Sequence, residues 1–81
     1  MTTENELERN VGYVVKVLKN NSTNEWGLDI GNLIIGVRLE HSKENPLNIP
    51  EAKEAINEAK NRRLVIRFYH PIRGERYILN K

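Results

Sequence analysis

An 81-residue chain with 38% hydrophobic and 30% charged residues has the length of one small domain and the composition of a soluble globular protein. It has no cysteine, which excludes disulfide bonds, thiol nucleophiles and thiolate metal sites. The net charge of +2 conceals a segregation, because residues 60–81 carry seven bases against one acid and residues 1–59 carry six bases against ten acids. The positive C-terminal third points toward a polyanionic partner.

The acidic N-terminal segment contains no apolar run, so we expect no secretory signal and a cytoplasmic protein. No uncharged stretch is long enough to cross a bilayer, and we expect no membrane partner. Residues 1–10 lack apolar periodicity and are predicted to form a flexible tail, although Thr3 and Glu6 provide a weak helix-capping signal. Residues 11–81 are predicted to form the single folded domain.

Three β-strands are predicted in the first half of this domain. Alternation of apolar and polar residues predicts strands over Val11–Lys19, Trp26–Ile30 and Leu33–Glu40. Gly31 and Asn32, between the last two, are typical of a tight hairpin turn because glycine accepts positive φ. These segments together predict a three-stranded meander.

One helix and two further strands follow. A helix is predicted to begin at Asn48 or Ile49 and to continue to about residue 61, with a narrow stripe of small buried residues. Alternation then predicts strands over Leu64–Tyr69 and Arg76–Asn80, joined by a turn.

The predicted order β-β-β-α-β-β gives the fold class. It is that of a mostly β, α+β domain, a small five-stranded OB-like barrel with its helix between the third and fourth strands. A small Sm-like or SH3-like barrel is the main alternative. That fold would place a helix before the first strand and would leave residues 50–61 as an unexplained insertion.

Several short segments spread over residues 11–80 resemble the barrel of the staphylococcal-nuclease (thermonuclease) family. They are Gly12–Val17, Val37–Leu39, Pro50–Ala52 and Gly74–Leu79. The resemblance implies an OB-type barrel in which Arg38 and Arg76 bind phosphate. The calcium-binding acids and terminal helices of that family are missing, so the implied product is a barrel without catalysis. A degenerate calcium-dependent nuclease is a minor alternative.

The predicted fourth and fifth strands carry a basic and aromatic surface. Arg67 and Tyr69 lie on one strand face, where a guanidinium could hold phosphate and a ring could stack on a base. Trp26 is a possible additional stacking platform. The candidate residues for binding an anion or nucleic acid are Arg38, Arg62, Arg63, Arg67, Tyr69, Arg73, Arg76 and Tyr77.

The sequence has no motif that predicts catalysis. His41 and His70 are separated by a whole helix without a third metal ligand, and no serine or threonine has a base and an orienting acid nearby. We therefore expect no enzyme, no metal and no cofactor.

Two kinds of binding protein remain. The first is a module for single-stranded nucleic acid or a nucleotide-like anion, which binds through the basic strand face. The alternative is an inhibitor or adaptor that docks a protein by its segregated charged faces. The oligomeric state is open, and an exposed edge strand could pair with a second copy.

Overall fold

The computed structural model describes residues 3–80 and contains three α-helices followed by a two-stranded antiparallel sheet. The helices are α1 (Glu4–Asn20), α2 (Ile30–His41) and α3 (Ile49–Asn61), and the strands are β1 (Val65–His70) and β2 (Gly74–Leu79). None of these helices is long and apolar enough to cross a membrane.

The predicted five-stranded OB-like barrel is wrong. The segment Val11–Lys19 lies in α1 and Leu33–Glu40 lies in α2. Of the predicted strand Trp26–Ile30, only Leu28 pairs with another strand, through an isolated antiparallel bridge to Tyr77. The domain is therefore rich in helix, and neither the OB-like barrel nor the Sm-like or SH3-like alternative forms.

The first helix forms because its apolar residues also recur at helical spacing, and this pattern prevails over the alternation that predicted a strand. Val11, Val14 and Leu18 recur at helical spacing and are buried. Thr3 caps the helix by accepting the Glu6 N–H at 3.2 Å, and the Glu6 carboxylate accepts the Thr3 N–H in return. The stretch predicted to be a flexible tail is consequently helical from residue 4 onward, while the first two residues lie outside the described part.

The second helix begins where a hairpin turn was predicted. Asp29 accepts the Asn32 N–H at 2.7 Å and so acts as the N-cap. Gly31 and Asn32 therefore belong to the first helical turn. Leu33 and Val37, one turn apart, are fully buried, and this burial against α1 and α3 outweighs the alternating pattern that predicted a strand.

The single predicted helix, which corresponds to α3, and the last two predicted strands are confirmed, with bounds that differ by at most about two residues. Asn48 is the N-cap of α3, since its side chain accepts the Glu51 N–H at 2.8 Å. The apolar stripe of α3 consists of three small residues and one large one and is almost completely buried against α1 and the sheet, namely Ala52, Ala55, Ala59 and Ile56. Small side chains allow close approach, so α3 packs tightly into the centre of the domain.

The hairpin has two chemically different faces. Residues directly opposite in the two strands share a face, and the register pairs Val65 with Leu79, Arg67 with Tyr77 and Tyr69 with Glu75. Val65 and Tyr77 are buried against the helices, whereas Arg67 and Tyr69 are exposed. The helix-facing side of the hairpin is therefore covered near the base and open near the turn.

Candidate nucleic-acid interface

The two flanks of α3 carry opposite charge. Viewed along the helix, Glu51, Glu54 and Glu58 lie on one flank with Arg62 just beyond the helix end. Lys53, Asn57 and Lys60 lie on the other flank at i, i+4 and i+7. The ion pair between Arg62 and Glu8 of α1 shows that the acidic flank is the one turned toward α1. The basic flank faces away from α1.

Arg62 has a structural role in linking two helices. Its guanidinium lies 2.5 Å from Glu8 of α1 and 2.7 Å from Glu58 of α3. The hydrogen bond from Arg62 holds the pKa of the Glu8 carboxyl below its usual value, and both carboxylates raise the pKa of Arg62. Arg62 was predicted as an anion-binding residue, but its charge is already matched inside the molecule.

Other cations of α3 and the hairpin have no such partner. Over residues 3–80, no carboxylate lies within ion-pair distance of Lys53, Lys60, Arg63 or Arg73. Lys53, Arg63 and Arg73 are exposed and Lys60 is half-buried. Their charges are free to interact with an external anion.

Arg63 has an unusual backbone conformation. Its φ is 61°, and it is the one non-glycine residue with positive φ in the part of the chain that the structure describes. It follows the end of α3, where glycine would adopt this conformation at lower cost. The Asn80 side chain donates to the Arg63 carbonyl at 2.7 Å and fixes the segment. An exposed arginine therefore occupies a position whose geometry favours glycine.

Arg73 is oriented by a stack on Trp26. Its guanidinium carbon lies 3.9 Å from the centre of the indole ring, and the His70 ring meets the same indole edge-on at 6.1 Å. His70 also accepts the backbone N–H groups of Ile72 and Arg73, each at 3.1 Å, which shapes the turn. Stacking leaves the in-plane N–H donors of a guanidinium available. Trp26 thus positions an arginine rather than offering a free platform for a base.

Arg67 and Tyr69 form the exposed part of the helix-facing side. The Arg67 side chain is 54% exposed and lies 3.5 Å from Glu75, a long and loose ion pair. Tyr69 is 78% exposed. The predicted pairing of a cation and a ring on one strand face is present here.

Two predicted phosphate ligands instead brace the fold. The Arg76 side chain is only 13% exposed, and it donates to the carbonyls of Trp26 at 2.9 Å and Gly27 at 2.8 Å. Arg38 donates to the Leu47 carbonyl at 2.6 Å and so ties the end of α2 to the loop before α3. Arg76 connects segments about fifty residues apart, whereas Arg38 closes the local connection between α2 and α3.

Tyr77 is a core residue rather than a stacking surface, since it is 5% exposed. Its hydroxyl donates to Glu75 at 2.9 Å. Burial, followed by this hydrogen bond, raises the pKa of the Tyr77 phenol above its usual value of about 10.

This shift predicts how stability depends on alkaline pH. Because the folded state retains the Tyr77 proton longer than the unfolded state does, the free energy of unfolding should fall as pH rises above about 10. Glu75→Gln should lower the pKa of Tyr77, and Tyr77→Phe should remove the late component from an ultraviolet tyrosinate titration. If Tyr77→Phe leaves that titration curve unchanged in shape, the assignment is wrong.

Sequence reasoning missed the basic flank of α3. Lys53, Asn57 and Lys60 are not among the predicted site residues, because the apolar stripe and the glutamates are the stronger patterns in this helix. Their spacing of i, i+4 and i+7 was the available signal.

A groove of about 440 Å³ opens between the loop after α1 and the hairpin, mainly along β2. None of its lining residues is a lysine or arginine, and Glu25 is among them. It is therefore poorly suited to a nucleotide-like anion. Within residues 3–80, no cluster of three or more His, Asp or Glu side chains could hold a metal ion.

Comparisons with known proteins identify no relative of this chain. No family model matches the chain. No curated protein and no solved structure matches it either. These findings give no support to the resemblance to the staphylococcal-nuclease family, whose barrel the chain does not form.

Proposed function

We propose that this protein binds double-stranded DNA through a surface made by α3 and the hairpin. We call it the α3–hairpin surface and define it by five cations, Lys53, Lys60, Arg63, Arg67 and Arg73. The observation that carries the proposal is that four of them have no internal ion-pair partner and the fifth has only a loose one. Counterion release from phosphates would supply the binding free energy.

A duplex fits this surface better than the single strand that the barrel prediction implied. A pair of helices joined by a loop, here α2 and α3, can place its second helix in the major groove, which is wide enough to admit an α-helix. The exposed side of α3 offers Asn57 between two lysines, and asparagine can bond to the edge of adenine. The hairpin beside α3 would act as a wing on the neighbouring backbone.

Binding to a duplex is tested by its dependence on salt. With five phosphates neutralised, log K should fall against log salt with a slope of about −4 to −5. Lys60→Ala and Arg73→Ala should each reduce that slope by about one unit, without unfolding the protein. Lys19→Ala, at the far end of α1, is the matched control and should leave the slope unchanged. Equal loss of affinity in the control, or tighter binding to a single strand, would contradict the proposal.

Arg63 allows a sharper prediction, because the same substitution should raise the stability of the protein and lower its affinity for a duplex. Arg63→Gly removes backbone strain and should raise the free energy of unfolding by about 1 kcal/mol. The same substitution removes a phosphate contact and should weaken duplex binding. Urea unfolding and a binding titration on one sample measure both quantities. If the variant is more stable and binds the duplex equally well, Arg63 does not belong to the α3–hairpin surface.

A contact with another protein is the second candidate function. One observation favours it: α2 exposes Ile35 by 53% and Leu39 by 44%, one helical turn apart on the same side. The same apolar patch on a second copy could cover it in a two-fold dimer of the chain. Sedimentation over a range of concentrations tests it, and Leu39→Glu should abolish any dimer while leaving DNA binding to the monomer intact.

A further inference from the structure

The turn of the hairpin presents an apolar side chain at its tip. Ile72 is 90% exposed, which is the largest exposure among the big hydrophobic residues of the described chain. Its backbone N–H is bound to His70, so the turn that carries it is fixed. An isoleucine this exposed buries little apolar surface against the described part of the protein.

Cations stand on both faces of the hairpin, with Arg73 in the turn itself and Arg67 in the fourth residue pair from the turn. Arg67 shares the helix-facing side with Tyr69, as the strand register requires. Arg73 stacks on Trp26, which contacts His70 on the opposite side. A hairpin lying flat on a backbone would need cations on one face only. A hairpin that enters a groove meets a phosphate wall on each side and needs them on both.

We propose that the tip enters the DNA minor groove and that Ile72 inserts as a wedge between base pairs, kinking the duplex. This inference rests on the proposed function and extends it from binding to deformation. A two-stranded ribbon with its side chains is wider than the minor groove of B-DNA, which is about 6 Å across. Apolar wedges open that groove by partly unstacking a base step. Arg67 and Arg73 would then hold the two separated backbones.

The proposal predicts a preferred DNA sequence at the site of insertion. Pyrimidine–purine steps such as TA unstack at lower cost than other steps. The wedge should therefore favour a duplex that contains a TA step where the hairpin lies. Specificity of this kind arises from deformability and needs no hydrogen bond between Ile72 and a base.

Energy transfer between dyes at the two ends of a duplex of about 20 base pairs, roughly two helical turns, measures the bend. The wild-type protein should raise the transfer efficiency of a duplex with a central TA step. Ile72→Ala should bind the same duplex with most of that rise lost, and Ile72→Met should restore it because a long apolar side chain is again present. Ile35→Ala, at another exposed isoleucine, is the matched control.

The possible outcomes distinguish a failure of the wedge from a failure of duplex binding. Salt-dependent binding without any bend would overturn the wedge and leave duplex binding intact. A bend that persists in Ile72→Ala would also overturn the wedge, since another group would then deform the DNA. Absence of binding to the duplex at low salt would overturn both.

Discussion

Gly27→Ala is expected to destabilise the protein more than alanine at any other glycine. Gly27 has a φ of 66°, and a Cβ there would lie 2.1 Å from the carbonyl oxygen of Tyr77. That oxygen accepts the Leu28 N–H, so relief of the clash would break the bridge between the loop and β2. We expect a loss of at least about 4 kcal/mol, a large part of the stability of a small domain.

Gly74→Ala is the matched control for this prediction. Gly74 also has positive φ, 78°, but a Cβ there would meet nothing within 4 Å. Its substitution should cost about 1–2 kcal/mol from backbone strain alone. The difference between the two variants in urea unfolding therefore isolates the close approach of the loop to β2. Equal losses would mean that the loop moves aside and does not pack as described.

Arg76→Met is expected to produce the second largest effect and to separate folding from binding. It keeps the aliphatic stem but removes the donors to the carbonyls of Trp26 and Gly27. Bonds from charged donors contribute about 1.5–3 kcal/mol each, and water can replace part of them at this edge. We expect a fall of about 2–4 kcal/mol in the free energy of unfolding.

Arg73→Met is the counterpart of Arg76→Met, because it should lower duplex affinity and leave stability nearly unchanged. The substitution removes only an exposed stack of Arg73 on Trp26, which contributes about 0.5–1 kcal/mol, so the free energy of unfolding should change little. Duplex affinity should fall instead. If Arg76→Met lowers affinity at temperatures where it remains folded, and Arg73→Met does not, the roles assigned to these two arginines are reversed.

The second half of the fold could be predicted because its signals are local. Asn48 and Pro50 mark the start of α3, and alternation in β1 and β2 has no helical competitor. In the first half, Val11 to Leu18 fits both a strand and a helix, because valine supports alternation while every third or fourth residue is also apolar. Only the burial of one helical face against α2 and α3 decides between them.

The basic composition of the candidate interface could be predicted from the sequence, but only some of its residues could. The excess of bases after residue 60 was visible, and Arg63, Arg67, Tyr69 and Arg73 remain on the surface. Arg62 and Arg76 are paired with groups about fifty residues away in the chain, Glu8 and Trp26. Pairings between residues so far apart depend on the tertiary fold, so they cannot be predicted from the pattern of charges along the sequence.

The most direct test of the central claim is to map amide chemical shifts while a DNA duplex is added. We expect the signals that move to belong to the exposed side of α3, Lys53–Asn61, and to the hairpin from Arg63 to Gly74. Signals of α1 should stay in place, apart from the residues that contact α3. Shifts concentrated in α1 or in the exposed side of α2, or no shifts at low salt, would contradict duplex binding through the α3–hairpin surface.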